Sequence, residues 1–254
     1  MSLDYSTQEL MIIASAREIK DNERIFVGMR LPITAYGVAR LTHAPNAVGL
    51  FESGIARYEP ADGMLYTMCD APNQLGAAWT CGLIQIMGML SGGRVHAGFI
   101  GGAEIDKFGN INTSYIGGIE NPKVKLPGSG GAPDIAAMAE RLIIIINHQK
   151  HRLVEKVDYI TSPGFLTGGD ARKEAGLPGG GPSVVITDRA ILRPYGPENE
   201  LHLASVHPGH TEEEIKENTG WDLKTVPDLE ETPSPSKEEL DALHTIDKEG
   251  FWRS

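Results

Sequence analysis

The chain has 254 residues, of which 41% are hydrophobic and 22% are charged, and its formal net charge at pH 7 is −11. That length is enough for one large α/β domain or two small ones. The acidic balance argues against a nucleic-acid partner, which normally binds a basic face. No apolar run approaches the roughly 20 residues that a membrane span needs. The N-terminal segment "MSLDYSTQEL" lacks the basic and apolar regions of a signal peptide, so we expect a cytoplasmic protein without a membrane partner.

The first part of the chain predicts a strand–helix–strand unit. Ser6 and Glu9 have capping-box spacing and predict an opening helix. "RIFVG" predicts a short buried strand, "LPITAYGVARLTHAP" a helix with proline in its first turn, and "NAVGLFE" a second strand. Two strands joined by a helix form a βαβ unit, which implies a parallel sheet. Ligands of such sheets bind beyond the carboxyl ends of the strands, where Glu52 lies.

The remainder of the chain continues the alternation of strands and helices. "HAGFIGGAEID" is apolar, "APDIAAMAERL" predicts a helix, and "IIIIN", "VDYIT" and "PSVVITD" predict strands. "AILRPY" and "ELHLASV" predict a hairpin, and Thr211 and Glu214 begin a helix that ends at Gly220. We expect one α/β domain over residues 1–226. A polar tail follows over residues 227–254, in which the segment from Ser236 to His244 predicts one more helix.

The familiar catalytic and metal-binding motifs are absent from the sequence. There is no P-loop and no nucleophile elbow, and "GSGGAP" has proline where a dinucleotide-binding turn has its third glycine. His148 and His151 lie among basic residues, so we expect no metal site there. His207 in "VHPGH" suits a turn better than a catalytic base. Cys69 and Cys81 form no C-x-x-C pair, and we expect two free thiols packed as small hydrophobic side chains.

Two features are left that can carry chemistry. Glu52 in "GLFESG" stands at a strand end before a Ser-Gly corner, where a lone glutamate is most often simply solvated. "GGAEIDKFGNIN" and "LPGSGGAPD" are either ordinary loops or places where backbone N–H groups point into one concavity. A carboxylate is ordinarily ionised at neutral pH and can attack an activated acyl group without a histidine base. Glycine-loop donors would then stabilise the oxyanion, so the pattern indicates covalent acyl transfer.

Seven segments, in the same order along nearly the whole chain, resemble the B (beta) subunit of the family I CoA-transferases, most closely that of glutaconate CoA-transferase. They are "VGMRLP", "APNAVGLFESG", "FIGGAEIDKFGNINTS", "GSGGAPDIA", "KVDYITSPG", "GLPGGGPSVVITD" and "ENTGWDL". The resemblance implies an open, mostly parallel α/β sheet with helices on both faces. It also implies coenzyme A as a co-substrate and no tightly bound cofactor or metal.

The resemblance further implies roles for individual residues. Glu52 would attack an acyl-CoA to form an acyl-glutamyl anhydride and then a glutamyl-CoA thioester, from which the incoming acid takes the CoA. The residues implied to form the oxyanion hole are Gly128, Gly130, Gly131 and Ala132. Those implied to bind substrate or CoA are Ser53, Gly54, Gly101, Gly102, Asn110 and Asn112.

A partner chain, the A (alpha) subunit, is implied as well, because the active site of the family lies between the two kinds of chain. We therefore expect the isolated chain to be inactive. The acidic chain fits poorly with polyanionic CoA, so we expect cations from the partner or from local side chains. The local candidates are Arg57, Arg94, Lys123 and Lys125.

Residues 56–96 depart from the pattern of the family, because this segment is rich in methionine. Its methionines either fill the core or line a pocket for a larger, more apolar acyl chain; they are Met64, Met68, Met87 and Met89. Related proteins on this fold hydrolyse a ring of a CoA-linked steroid fragment or decarboxylate a diacyl-CoA. A thioester hydrolase, ring-cleaving hydrolase or decarboxylase is therefore an alternative, although the presence of Glu52 favours transfer. A second alternative is a structural subunit that shapes a partner's site.

Overall fold

The computed structural model describes residues 4–253. In chain order its helices and strands are α1 (Thr7–Arg17), β1 (Arg24–Phe26), α2 (Leu31–Leu41), β2 (Val48–Phe51), β3 (Ile55–Arg57), α3 (Ala71–Gln74), β4 (Trp79–Thr80), α4 (Leu83–Ser91), β5 (Ala97–Ile100), β6 (Glu104–Asp106), β7 (Ile111–Asn112), β8 (Tyr115–Ile116), β9 (Val124–Lys125), α5 (Ala132–Met138), β10 (Arg141–Ile145), β11 (Leu153–Val154), α6 (Ala171–Glu174), β12 (Pro182–Ile186), β13 (Ala190–Tyr195), β14 (Glu200–Val206), α7 (Glu212–Glu217), β15 (Thr225–Glu231) and α8 (Lys237–Ile246). The predicted α/β fold class is confirmed. No helix in the described part of the chain has the length and apolar character needed to cross a bilayer.

The chain divides into two compact units. Unit 1 combines the residues up to 99 with those from 234 onward, and unit 2 comprises residues 100–233. The boundary expected at residues 226–227 falls inside β15, and the predicted C-terminal helix is α8, which belongs to unit 1.

The sheet of unit 1 has a parallel centre and an antiparallel edge. Its strand order is β5-β1-β2-β3-β4. β1 pairs in parallel with β2, with Ile25 opposite Gly49, and α2 connects them, as the predicted βαβ unit requires. β5 also runs parallel to β1, whereas β3 and β4 are antiparallel additions. The carboxyl ends of β5, β1 and β2 therefore share one edge, and Glu52 follows β2 at that edge.

Three helices of unit 1 pack together, and local sequence signals account for their ends. α1 and α8 both begin with a complete capping box, from Ser6 and Ser236 respectively. Each of α1, α2 and α8 contacts the other two. Arg17 of α1 donates to Glu239 of α8 at 2.7 Å. The chain from residue 234 onward thus belongs to unit 1, with α8 packed on α1 and α2.

Unit 2 has a main sheet with the strand order β15-β14-β13-β12-β10. β10 and β12 are parallel, as are β14 and β15, and the predicted hairpin is the antiparallel pair β13–β14. Two small sheets, β11-β6-β7 and β8-β9, complete the unit. The strand predicted for "VDYIT" is wrong. Thr161 and Ser162 both donate their N–H groups to the carbonyl of Ile111, which is incompatible with the regular ladder of a strand pair.

Candidate active-site elements

Glu52 lies in a tight corner between two strands of unit 1. Glu52, Ser53 and Gly54 form the turn between β2 and β3, and Gly54 N–H donates to Phe51 O at 2.9 Å. Gly54 has a φ of +89°, and a Cβ atom there would lie 2.0 Å from Cys81 O. Cys81 N–H donates to Gly54 O at 2.7 Å. Only glycine fits this position, so the corner that carries Glu52 has one defined geometry.

The Glu52 carboxylate is half-buried and has no role in holding the corner together. Across residues 4–253 its side chain makes no hydrogen bond and no ion pair. The neighbouring Ser53 hydroxyl, in contrast, donates to Met68 O at 3.0 Å. The corner is therefore fixed by its backbone and by Ser53, and the carboxylate is available to react with a ligand.

Arg57 holds the segment that follows the corner. This side chain is only 3% exposed, and it donates only to backbone carbonyl oxygens. The shorter of these bonds run to Glu59 O at 2.8 Å, Asn73 O at 2.7 Å and Leu75 O at 2.8 Å. Arg57 is therefore occupied inside unit 1, although the sequence analysis offered it as a cation to balance the charge of CoA. A guanidinium that binds backbone carbonyls has no signature in the sequence, so its function as a clamp was missed.

The methionines of this segment are half-buried, and its cysteines are more exposed than predicted. None of the four methionines is buried; Met64, Met68, Met87 and Met89 are all half-buried. Both thiols are free, as expected, but Cys69 is exposed and Cys81 is half-buried. The interpretation of Cys69 as a packed hydrophobic side chain is wrong, because its segment runs over the surface of unit 1 instead of through its core.

In unit 2, Asn110 supports the loops around it. Its Nδ2 donates to both carboxylate oxygens of Asp106 and to Leu166 O at 2.8 Å, and its Oδ1 accepts from Gly164 N–H at 2.9 Å. Burial raises the pKa of Asp106, and the hydrogen bonds from Asn110 act in the opposite direction. The Asn110 side chain is thus fully engaged inside the unit. Direct contact between this residue and a ligand stays a prediction.

Asn112 is also fully buried and fully engaged. Its Nδ2 donates to Glu104 Oε2 at 2.8 Å, and its Oδ1 accepts from Ser114 N–H at 3.0 Å. Gly102 lies against the same strand, since a Cβ atom there would be 2.3 Å from Ile111 Cγ2. Gly101, which precedes it, is exposed. The structure therefore brings Gly102 and Asn112 together.

The glycine loop before α5 is tied to the bend that follows β7. Gly128 N–H donates to Thr113 O at 2.8 Å, one residue beyond Asn112. Gly128 and Gly130 have φ angles of +104° and +50°, and nothing within 4 Å would meet a Cβ atom at either position. The space beside the loop is open, and the backbone conformation there favours glycine.

Several backbone N–H groups of this loop have no acceptor among the residues described, those of Gly130 and Gly131 among them. Gly131 is the N-cap of α5, and the N–H groups of Gly130 and Gly131 have no acceptor among the residues described. The N–H of Ala132 donates to Ser129 O at 3.2 Å and is therefore used inside the loop. Of the predicted oxyanion-hole residues, Gly130 and Gly131 are the ones that present unpaired donors.

The other polar residues singled out in the sequence differ in their burial. Arg94, Lys123 and Lys125 are exposed. His207 is buried and begins the turn predicted there, since His210 N–H donates to its carbonyl at 3.1 Å. Its Nε2 donates to Thr187 O at 2.9 Å. Between residues 4 and 253 there is no group of three or more His, Cys, Asp or Glu side chains that could hold a metal ion.

The fold and these groups together define an α/β protein that carries an unpaired glutamate side chain at a strand end. Comparison with known proteins identifies the family to which the chain belongs. The coenzyme A transferase family matches residues 8–218. The B subunit of 3-oxoadipate CoA-transferase from Pseudomonas knackmussii is 42% identical over 250 residues, 96% of this chain and 94% of the relative. The chain belongs to the coenzyme A transferase family, and it is a CoA-transferase chain of the B-subunit type.

A solved relative supports the same assignment. The B subunit of glutaconate CoA-transferase from Acidaminococcus fermentans is 34% identical over 255 residues, 94% of this chain and 93% of the relative. The crystal structure of that enzyme superposes with a TM-score of 0.91 at 31% identity, covering 99% of this chain and 98% of the other. The resemblance found in the sequence is confirmed. CoA is the co-substrate of this class of enzyme.

A more distant relative bears on the alternative functions. The IpdB chain of the cholesterol ring-cleaving hydrolase of Mycobacterium tuberculosis is 24% identical over 247 residues, 94% of this chain and 93% of the relative. At that identity the likeness concerns the fold. The two more similar relatives described above are both named CoA-transferases, so the hydrolase and decarboxylase alternatives are not favoured.

Proposed function

We propose that this chain is the B subunit of a two-subunit CoA-transferase that moves CoA between an acyl-CoA and a free carboxylic acid through a glutamyl-CoA thioester on Glu52. The observation that carries this proposal is the Glu52 carboxylate. It stands at a corner that admits only glycine at residue 54, and it has no internal partner among the described residues. In a chain of the coenzyme A transferase family, a fixed and unpaired strand-end carboxylate is the best candidate for the nucleophile.

The reaction begins when the Glu52 carboxylate attacks the thioester carbonyl of the acyl-CoA. The C–S bond breaks, and an acyl-glutamyl anhydride and CoA thiolate result. The thiolate then attacks the glutamyl carbonyl, which releases the first acid as its carboxylate and leaves CoA bound to Glu52 as a thioester. The second acid enters as a carboxylate and repeats the two steps in reverse, so that a new acyl-CoA leaves and the Glu52 carboxylate is restored.

Each of these attacks passes through a tetrahedral adduct with a negatively charged oxygen. We assign the stabilisation of that oxygen to the free N–H groups of Gly130 and Gly131. Removing one donor of such a site typically lowers kcat by about 10²–10³-fold. The open space beside Gly128 and Gly130 leaves room for an acyl group at the loop.

A partner chain, the A subunit, completes the enzyme in this proposal. Both of the CoA-transferase relatives above are named as B subunits, which supports a second, different chain. An obligate pair of this kind buries on the order of 2,000 Å² or more. The isolated chain would then be inactive. Its location in the cytoplasm, and the absence of a tightly bound cofactor, stay predictions from the sequence.

The substrates we propose are short dicarboxylic acids and their CoA esters. The two relatives are named for 3-oxoadipate and glutaconate, and these names support this class. The methionine-rich segment after Glu52 supports instead a larger and more apolar acyl group. A panel that contains C4 to C6 dicarboxylates and monocarboxylates of equal chain length separates the two, because only one series would be accepted at a low KM.

The test of the function is covalent trapping on the co-expressed complex. The complex is incubated with each acyl-CoA and reduced with borohydride, which converts a glutamyl-CoA thioester to an alcohol, and the modified residue is mapped by mass spectrometry. We expect the mass change on Glu52. Glu52→Gln should lose it and lower transfer by more than 10³-fold. Asp62→Asn, an exposed acidic residue on the same segment, is the matched control and should retain wild-type activity.

Three other outcomes would contradict the proposal in distinct ways. Thioester consumption that does not depend on an acceptor acid would indicate a hydrolase. Consumption with Glu52 unmodified would make Glu52 a general base of a hydrolase or lyase. Activity of Glu52→Ala within a few-fold of wild type would identify this chain as a structural subunit.

A further inference from the structure

Helix α5, which follows the glycine loop, is held at its other end by one buried arginine. Arg172 is 5% exposed, and no carboxylate pairs with it among the described residues. A guanidinium has five N–H donors. Here they donate to five carbonyl oxygens: those of Gly179 (2.7 Å), Pro163 (3.1 Å), Gly164 (2.9 Å), Ala136 (2.7 Å) and Ala137 (3.1 Å).

Arg172 contacts α5 at carbonyl groups that have no hydrogen-bond partner inside the helix. Ala136 and Ala137 lie in the last turn, and the carbonyls of a last turn have no partner inside a helix. A positive charge at this end is also favourable for the helix dipole. Burial lowers the pKa of Arg172. Enclosing a guanidinium without a counter-ion is unfavourable by itself, so its five hydrogen bonds must offset that cost.

The glycine run of "LPGGGPS" completes this clamp. A Cβ atom on Gly179 would lie 2.2 Å from Ala139 O, and one on Gly180 would lie 2.4 Å from Glu140 O. Gly179 N–H donates to Ala137 O at 2.8 Å. The run therefore needs glycine because its backbone is pressed against the end of α5.

The beginning of the glycine loop is fixed independently. Leu126 N–H donates to Ser114 O at 2.9 Å, and Gly128 N–H donates to Thr113 O at 2.8 Å. α5 has seven residues and is therefore about 10 Å long. The start of the loop is held by the bend between β7 and β8, and the end of α5 is held by Arg172. The free N–H groups of Gly130 and Gly131 lie between these two points along the chain.

We propose that Arg172 is a positioning residue for the transfer reaction, which fixes the far end of α5 and so aims the free N–H groups of the glycine loop. The inference rests on the proposed function of that loop. Arg172 makes no hydrogen bond to the glycine loop itself, so its effect on the loop passes through its contacts with α5. A substitution of Arg172 should therefore slow the chemical steps, where the oxyanion forms, and should leave the binding of acyl-CoA in the ground state unchanged.

The first experiment compares Arg172→Met and Arg172→Lys in the co-expressed complex. Arg172→Met should lower kcat about 10- to 100-fold with KM for acyl-CoA within threefold of wild type, because a misplaced donor weakens only the transition state. Arg172→Lys keeps three donors and should recover part of the loss. Leu203→Ala, a buried residue on β14, is the control for general loss of stability, and below its unfolding temperature kcat should be unchanged.

The second experiment is a kinetic double-mutant cycle with Gly128→Ala, which disturbs the loop at a φ of +104°. If Arg172 acts through the loop, kcat of the double variant should be within threefold of kcat of the slower single variant. Both substitutions would then disturb the same loop geometry, which can be lost only once. Losses that multiply would overturn the positioning role. Should Arg172→Met fail to fold, the cycle is made with Arg172→Lys.

Glu52→Gln separates this inference from the proposed function. If Glu52→Gln is inactive and kcat of both Arg172 variants stays within threefold of wild type, the positioning role is refuted and the function stands. If Glu52→Gln remains active, the proposed function fails whatever the Arg172 variants do. A rise in KM with unchanged kcat would show that Arg172 supports binding, and would also overturn the inference.

Discussion

Acid should destabilise unit 2 through two buried histidines, His148 and His207, which are 0% and 1% exposed. His148 hydrogen-bonds to the hydroxyls of Thr187 and Thr219 at 3.1 Å and 3.0 Å. His207 Nδ1 lies 2.8 Å from the Thr232 hydroxyl. None of these partners is a carboxylate that would stabilise an imidazolium. The neutral form of each ring is therefore the one that suits the fold.

Burial lowers the pKa of both histidines from 6.5 to about 4. The unfolded chain consequently binds more protons than the folded chain in this range, and stability must rise with pH. The contribution of each histidine is fully present above about pH 6.5 and is lost as the pH falls towards 4. At pH 5 each ring lowers the free energy of unfolding by about 2 kcal/mol relative to pH 8. Together they remove about 4 kcal/mol, out of the roughly 5–15 kcal/mol that a domain has.

The assay is hydrogen exchange followed by mass spectrometry between pH 5 and pH 8, with intrinsic exchange rates corrected for pH. Peptides from β12 and β14 report the opening of unit 2. The double variant His148→Gln with His207→Gln should lose most of the pH slope in these peptides, whatever its stability at pH 8. His151→Gln, an exposed histidine of the same unit, is the control and should keep it.

The reasoning would be refuted if wild type and the double variant lost equal stability between pH 8 and pH 5. In that case other groups, such as the carboxylates, would control acid unfolding. A slope that shrinks by half on single substitution of either histidine would support independent contributions from the two rings.

Three further predictions concern backbone geometry and helix ends. Gly54→Ala should lower kcat about 100-fold, since the added Cβ would lie 2.0 Å from Cys81 O and must displace the Glu52 corner. Its control in the same kinetic assay is Gly88→Ala in α4, where a Cβ meets nothing within 4 Å, and this variant should leave kcat unchanged. Arg57→Met should lower the free energy of unfolding of unit 1 by about 2–4 kcal/mol, because it leaves several buried carbonyls unpaired; urea unfolding that matches wild type would contradict this. Ser236→Ala should lower the free energy of unfolding of unit 1 by about 1 kcal/mol, because the capping box of α8 is lost. Ser236→Thr, measured alongside, should retain most of that free energy.

The sequence predicted those helices and strands that are stabilised by interactions between residues close together in the chain. The capping boxes of Ser6 and Ser236 mark the starts of α1 and α8, because a side chain and a backbone three residues apart satisfy each other without tertiary help. The βαβ unit and the β13–β14 hairpin followed from periodicity and turn residues. Glu52 was found as a candidate because a charged residue at the end of an apolar strand is conspicuous in any sequence.

The features that sequence reasoning missed are those made by contacts between distant residues. Arg57 and Arg172 were invisible as clamps because their partners are backbone carbonyls, which every residue type supplies. "VDYIT" has the composition of a strand, but two successive N–H groups share the carbonyl of Ile111, and only the fold decides that. The methionine-rich segment gave no element prediction at all. Its shape depends on Arg57, near its beginning, which binds carbonyl groups farther along it, and on the Ser53 hydroxyl.

Unit 1 is assembled from both ends of the described chain, and this has a consequence for biosynthesis. The Ser6 hydroxyl donates to the carbonyl of Arg253, and Arg17 pairs with Glu239. On the ribosome, the early helix α1 must therefore wait for α8, while the contiguous unit 2 has been synthesised in full. Until then the faces of α1 and α2 that receive α8 stay open to water and to chaperones. The corner that carries Glu52 belongs to this late-closing unit, so Glu52 reaches its final surroundings only after α8 has been synthesised.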